Sequence, residues 1–146
     1  MKKVNQITKF IDKKVAEFED TPAVHFKDII KENWGPRKGV LELVGVYAIY
    51  EKNKGLIYVG SAGKGGHFMK YRMSDLFYFN AETNRFKHSL TEKLLTKIRR
   101  FKTISEIRSF YLKKCYIKVV ETESIRKARI LEDVLIELLS PKYNQE

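Results

Sequence analysis

Residues 45–60 read GVYAIYEKNKGLIYVG, two short apolar runs around a charged break that ends in glycine. The pattern predicts a β-hairpin, with strands at 44–51 and 56–61 and a turn at Lys52-Asn53-Lys54-Gly55. Any fold open to this chain must be built around that pair. With a four-residue turn, Glu51 faces Leu56, Ile49 faces Tyr58 and Tyr47 faces Gly60. Alternation then puts Tyr47, Ile49, Glu51, Leu56, Tyr58 and Gly60 on one face. Val46, Ala48, Tyr50, Ile57, Val59 and Ser61 take the other, which is the better core. On the first face two phenols are diagonal neighbours, and Gly60 leaves room opposite Tyr47. A three-residue turn would break this register. Taken alone, the tyrosines read as ordinary strand residues whose hydroxyls reach water.

The rest of the chain supplies helices. Val4, Ile7, Ile11, Val15 and Phe18 recur at helical spacing, so 4–18 is expected to be an amphipathic helix, broken at Asp20-Thr21-Pro22. A second helix is expected over about 25–33, stopped by NWGPRKG. A GKGG loop at 63–66 leads into a helix beginning near His67, and 89–101 and 104–113 also look helical. CYIKVVE at 115–121 is the third strand, and 124–139 is a helix stopped by Ser140-Pro141. The expectation is an α+β domain over 44–146, a three-stranded antiparallel sheet flanked by helices, with an N-terminal helical extension over 1–43.

Charge points to the partner. Lys and Arg outnumber Asp and Glu by 29 to 18, and in 64–118 by fourteen to four. Such an excess favours a polyanion, in the first place nucleic acid. Phe68, Tyr71, Phe77, Tyr78, Phe86, Phe101, Phe110 and Tyr111 are interleaved with those cations, most of them as core. The lone Cys115 excludes an internal disulfide and a cysteine-rich zinc site, and it reads as a buried, inert thiol. No apolar run approaches membrane-spanning length, and the N-terminus lacks the apolar stretch of a signal peptide, so a cytoplasmic setting is expected.

One side chain breaks the pattern of the last helix. Ala128, Leu131, Leu135, Ile136 and Leu139 form its apolar stripe, and Glu132 falls inside that stripe. A carboxylate aimed at an apolar face is costly unless a cation or donors receive it. An arginine at the stripe's edge would satisfy it; metal binding or catalysis accounts for its place better. Asn144, in SPKYN, lies where the chain folds back beside the sheet.

Gly45-Val46-Tyr47, Tyr58-Val59-Gly60, a basic helix with an arginine and the distal ILEDVLIELLSPKYN together resemble the GIY-YIG nuclease superfamily over 45–144. That superfamily includes the N-terminal incision domain of the bacterial excision-repair nuclease, intron homing endonucleases and some restriction enzymes. The resemblance implies a three-stranded antiparallel sheet flanked by helices. It implies that Tyr47 and Tyr58 are the paired catalytic tyrosines, Glu132 the metal-binding glutamate and Asn144 the terminal asparagine. Arg72 matches the catalytic arginine but lies fourteen residues past Tyr58, with Phe68 at the more usual spacing; GKGGH reads as an insertion that moves the arginine along. Leu76 stands where many members carry Tyr or His, a role then absent or supplied by Tyr78, His67 or His88.

The activity so implied is Mg²⁺- or Mn²⁺-dependent hydrolysis of DNA phosphodiesters, as in a restriction, phage or mobile-element endonuclease. Glu132 would hold the ion, Arg72 a phosphate oxygen, and Tyr47 would act as base or orient the water beside Tyr58. A phenol's pKa near 10 requires a nearby positive charge for the role of base. Asn144 would brace the site. Lys64, Lys70, Lys87, Lys97, Arg99 and Arg100 are the expected nucleic-acid contacts, and a homodimer is one arrangement that would cut both strands. The rival reading is a catalytically impaired nucleic-acid-binding module on the same fold. A P-loop and a His-x-x-x-His or Cys-x-x-Cys metal motif are absent from the sequence.

Overall fold

The computed structural model describes residues 2–33 and 43–144. In chain order the elements are α1 (Lys2–Asp20), β1 (Val24–His25), α2 (Phe26–Asn33), β2 (Gly45–Glu51), β3 (Gly55–Ala62), α3 (Met69–Asp75), β4 (Phe79–Asn80), β5 (Arg85–Phe86), α4 (Ser89–Glu92), α5 (Ile104–Lys114), β6 (Cys115–Glu121) and α6 (Ile125–Leu139). The α+β class is as expected. The helix stop read in NWGPRKG falls largely outside the described residues.

The main sheet is antiparallel, in the order β1-β6-β2-β3. Its three long strands are the expected ones. A fourth is added at the edge, where Val24 and His25 pair with Ile117 and Tyr116 instead of opening a helix. Two residues carry no readable periodicity; the His25 ring against the Tyr116 edge, 5.1 Å between centroids, accompanies the pairing. The N-terminal segment is thereby built into the same sheet. Phe18 is buried against α6 and β6, whereas Val4 and Ile7 at the start of α1 stay exposed.

The hairpin departs from expectation at its turn. β2 ends at Glu51 and β3 begins at Gly55, which leaves a three-residue turn with Asn53 at φ 64°. Asparagine tolerates that left-handed backbone better than most residues. The register slips between Ile49 and Tyr50, so Glu51 faces Gly55 and Tyr50 faces Leu56. Beyond the bulge Ile49 still faces Tyr58 and Tyr47 still faces Gly60. Leu56 and Ile57 have therefore exchanged faces relative to the alternation read from the sequence: Ile57 packs with Tyr47, and Leu56 with Val46 and Val59.

Both faces of the hairpin are core. Tyr47, Ile49 and Ile57 meet Met69, Met73, Leu90, Leu94 and Tyr111 on one side. Val46, Ala48, Val59 and Val120 meet Phe18, Ala128, Leu131 and Leu135 on the other. Tyr47 is fully buried, so its hydroxyl is met by the His88 ring and not by bulk solvent, unlike that of an ordinary strand tyrosine. Cys115 is buried as well, and burial pushes its thiol up to about 12, as an inert thiol requires.

Local chemistry fixes the helices that carry the site. Ser124 caps α6 by accepting from Lys127 N, and Ser140 ends it in the left-handed conformation at φ 46°. Thr103 caps α5 by accepting from Glu106 N at 3.2 Å, and its hydroxyl donates to Glu106 Oε1 at 3.2 Å. α4 continues through a wider π turn at Lys93–Lys97, short of the helix end expected at 101. The hairpin of β4 and β5 was not expected. Its two stacked rings, Phe79 and Phe86, lie 4.7 Å apart, and it delivers His88 to the start of α4.

Candidate active site at the edge of β3

β3 is an edge strand, and the chain after α6 returns to cover it. Tyr143 N donates to Ile57 O at 2.8 Å. Asn144 then clasps the Val59 peptide at both ends: Oδ1 accepts from Val59 N at 2.7 Å and Nδ2 donates to Val59 O at 2.8 Å. Asn144 is a brace that fixes the strand between Tyr58 and Gly60.

On the Tyr47 face three rings converge. Tyr47 and Tyr58 have centroids 6.1 Å apart, and the His88 ring stands edge-on to Tyr58 at 5.2 Å. Gly60 makes room for this packing, and Gly45 for the close approach of β6. A Cβ on Gly60 would fall on the Tyr47 hydroxyl, and one on Gly45 would fall on the Val120 carbonyl of β6. Tyr58 is only partly buried, and its hydroxyl is 3.3 Å from Ser89 Oγ.

His88 Nδ1 accepts from Leu90 N at 3.0 Å, which leaves the ring hydrogen on Nε2. Nε2 lies 2.6 Å from the Tyr47 hydroxyl and donates to it. Burial and the nearby Arg72 charge hold the His88 pKa well below its ordinary value, so the ring is neutral. With its one lone pair engaged by Leu90, His88 cannot take the Tyr47 proton. Burial, with Tyr58 close by, holds the Tyr47 phenol well above 10 despite the opposing pull of Arg72. The structure thus presents a neutral phenol whose oxygen already accepts one hydrogen bond.

Arg72 reaches this group. Its Nη1 donates to Lys87 O at 3.0 Å and to Asp75 Oδ2 at 3.3 Å, the latter one turn along α3. His67 Nε2 donates to the same Asp75 oxygen at 2.7 Å. Burial works against the Arg72 charge, but Tyr47, Tyr58 and Asp75 outweigh it and raise the pKa. The GKGGH insertion therefore does not remove Arg72 from the tyrosines.

Glu132 comes from the opposite face of the sheet. Its Oε1 accepts from Ser61 Oγ, the residue after Gly60, at 3.0 Å. Burial raises its pKa, partly offset by the Ser61 hydrogen bond and by Arg72 and Arg129. Glu132 and Tyr47 are within electrostatic reach of each other and of Arg72. The partner that a carboxylate in an apolar stripe needs is thus Ser61, at the strand edge.

Two basic clefts open here. One, about 650 Å³, is lined by Tyr58, Ser89, Lys93, Lys97, Lys142 and Asn144 among others. The second, about 340 Å³, is lined by Ser61, Gly63, Lys64, His67, Arg72 and Arg129 among others. Lys64 and Lys97 thus stand on the clefts. Lys70 lies over the Tyr71 ring and Lys87 over Tyr78. Arg99 is exposed but lines neither cleft. Arg100 is turned to the fold: Nη1 and Nη2 each donate to a Glu51 oxygen at 2.7 Å, and Nη1 also reaches the Tyr143 hydroxyl. Reading Arg100 as a phosphate contact missed this pair, because Glu51 is distant in sequence and met only through the hairpin. Asp75 and Ser61 were not singled out, although Asp75 at i+3 from Arg72 was a readable ion pair.

Among the described residues no group of three or more His, Cys, Asp or Glu could hold a metal ion, and no helix is long and apolar enough to cross a membrane. The chain is similar to UvrABC system protein C of Aliarcobacter butzleri (strain RM4018), at 37% identity over 100 residues. That match covers 68% of this chain and 13% of the relative, so the chain corresponds to a small part of that protein's length. No family model matches the chain, and no solved structure matches it.

Proposed function

We propose that this chain is a metal-dependent DNA endonuclease of the GIY-YIG superfamily, hydrolysing phosphodiester bonds beside β3, where Tyr58, Ser61 and Arg72 line the two clefts. One observation carries the reading: Tyr47 and Tyr58, with ring centroids 6.1 Å apart on one face of the sheet, and Glu132, bonded to Ser61 at 3.0 Å from the other, meet at one strand edge, where Ser61 and Arg72 line the same cleft. The similarity to part of UvrABC system protein C supports it, as does the formal charge of +11.

The donor set suits a hard divalent ion that keeps most of its waters, since Mg²⁺ commonly takes only one or two carboxylates. Glu132 would hold it, with Ser61 fixing one carboxylate oxygen. When bound, such an ion neutralises phosphate charge and stabilises the leaving oxygen. The remaining work falls to the chain. Arg72, tethered by Asp75 and the Lys87 carbonyl, presents a fixed cation to a non-bridging phosphate oxygen. Tyr47 orients the attacking water as a neutral phenol, and the hydrogen bond from His88 into its oxygen fixes the direction in which it does so. Tyr58 bounds both the phenol pair and the larger cleft, and Lys97 and Lys64 neutralise flanking phosphates.

The test is incubation with plasmid, single-stranded and branched DNA, with Mg²⁺ or EDTA, beside Glu132→Ala. Cutting is expected with Mg²⁺ alone and is expected to vanish in Glu132→Ala. Cutting that survives the substitution overturns the site; no cutting of any substrate favours the binding module.

A further inference from the structure

The smaller cleft is lined by one ring, His67, and outside the cleft that ring stacks on the exposed Tyr71. Most aromatic side chains in the described residues are buried or half-buried, but Phe68 and Tyr71 are 38% and 44% exposed. Both lie on the segment that carries Arg72. The His67 ring stacks on Tyr71, with centroids 5.4 Å apart and planes 29° from parallel. Lys70 Nζ lies over the Tyr71 ring at 5.1 Å, and Lys64, His67, Arg72 and Arg129 line the cleft beside it. The other large exposed apolar side chains sit elsewhere, for example on the first turns of α1 and the end of α6.

His67 also joins this patch to the phosphate clamp. Its Nε2 donates to the Asp75 oxygen that Arg72 contacts, so the stacked pair and the guanidinium share one buried carboxylate. A ring pair held in this way, ringed by cations, offers what an unstacked base requires: a π-face and a nearby positive charge. A base inside a continuous duplex has both faces covered by its neighbours and cannot use it. The cleft, about 340 Å³, falls within the range of sites that enclose small ligands.

Resting on the endonuclease reading, we propose that His67 and Tyr71, flanked by Phe68, form a stacking platform for an unpaired base of the substrate strand. The enzyme then selects DNA carrying an unpaired nucleotide next to the phosphate held by Arg72, over continuous duplex. Pairing is read by whether a base face is free, without a base-specific hydrogen bond.

The test uses the full chain with EDTA, so that nothing is cut, and three oligonucleotide probes carrying 2-aminopurine. These are a single strand, a duplex with one unpaired 2-aminopurine, and a fully paired duplex. The first two are expected to bind more tightly than the paired duplex, with the fluorescence of the unpaired base quenched by stacking. Tyr71→Ala should weaken binding to those two by about 5- to 150-fold, the range found for removing one base–aromatic stack, and Tyr71→Phe should restore it. Equal affinity for all three probes, or equal weakening of all three by Tyr71→Ala, overturns the platform. So does self-association of the protein that Tyr71→Ala abolishes while DNA binding is unaltered. The outcomes separate from those of the parent reading: quenching without Mg²⁺-dependent cutting removes the nuclease and keeps the platform. Cutting with no preference for unpaired DNA does the reverse, and failure to bind any probe removes both.

Discussion

The Tyr47 hydroxyl lies 2.6 Å from His88 Nε2, and Nδ1 of the same ring accepts from Leu90 N at 3.0 Å. The second contact decides the direction of the first: His88 donates and Tyr47 accepts. Tyr47→Phe removes the acceptor and the group that orients water. Loss of a positioned group of this kind is typically worth about 10²–10⁴-fold in rate, and that loss in kcat is expected with little change in DNA affinity. It also strands the buried His88 donor, at about 1–3 kcal/mol of stability. Single-turnover cleavage and urea unfolding of the two proteins check both; full activity in Tyr47→Phe would remove Tyr47 from the chemistry.

The buried neutral histidine ties stability to pH. The His88 pKa is well below 6.5 in the folded state because burial disfavours the charged ring. Above about pH 6.5 neither state carries the proton and the contribution is complete. As pH falls below that value the unfolded chain protonates first, so stability drops by up to about 1.4 kcal/mol per pH unit until the folded pKa is reached. His88→Asn, which keeps an oxygen for Leu90 N, should remove this slope. The raised pKa of Glu132 has the opposite sense, lowering stability as pH rises from about 4.5, but it is common to both proteins and cancels in their difference. Identical slopes between about pH 7 and pH 5 would contradict a neutral, buried His88.

Tyr47, Tyr58 and Glu132 stood out in the sequence because each breaks a local rule: phenols tied to glycines, and a carboxylate inside an apolar stripe. The long strands and α6 were legible from periodicity. His88 was only one of several alternatives, since it reaches Tyr47 through the β4–β5 hairpin, whose two-residue strands leave no pattern. The faces of Leu56 and Ile57 were misassigned because a bulge is invisible to alternation. Arg100 looked like one more cation of a basic run. Its Glu51 partner lies across the fold, and a side chain's use for packing or for DNA is not written in its type.

Arg100 provides a direct contrast with Lys97. The Glu51 carboxyl is held below its usual range chiefly by its hydrogen bonds from Arg100, and Glu51 is buried. Arg100→Ala should therefore cost about 2–3 kcal/mol, on the low side for a broken buried pair because Arg100 is partly exposed. It should leave the salt dependence of duplex binding unchanged. Lys97→Ala should do the reverse, keeping stability and lowering the log–log salt slope by about 0.9, the share of one neutralised phosphate. A reduced slope in Arg100→Ala would return that residue to the DNA interface.

Asn144 tests whether the return of the chain matters to catalysis. Both ends of its amide are spent on the Val59 peptide, between Tyr58 and Gly60. Asn144→Ala removes two hydrogen bonds, each worth about 0.5–1.5 kcal/mol. Asn144→Asp keeps the acceptor for Val59 N but sets a carboxylate oxygen against Val59 O, and should be at least as damaging. Both variants are expected to lose stability and kcat while the Mg²⁺ concentration for half-maximal rate stays fixed, because neither touches Glu132. A shifted metal requirement would place Asn144 at the ion instead.

Gly60 carries the sharpest steric prediction. A Cβ there would land on the Tyr47 hydroxyl, with the Tyr58 ring only 2.9 Å away. The Tyr47 phenol cannot swing aside, because it is fully buried and anchored by His88. Gly60→Ala should therefore act as overpacking, at about 1–3 kcal/mol, and should displace the phenol from His88. Gly55→Ala is the control within the same strand: no atom lies within 4 Å of its Cβ, so its cost comes only from the backbone at φ +87°. The expected result is loss of cleavage in Gly60→Ala under conditions where it remains folded, against cleavage retained in Gly55→Ala. If Gly60→Ala cuts at the normal rate, the close approach of Gly60 to Tyr47 is not what positions the phenol.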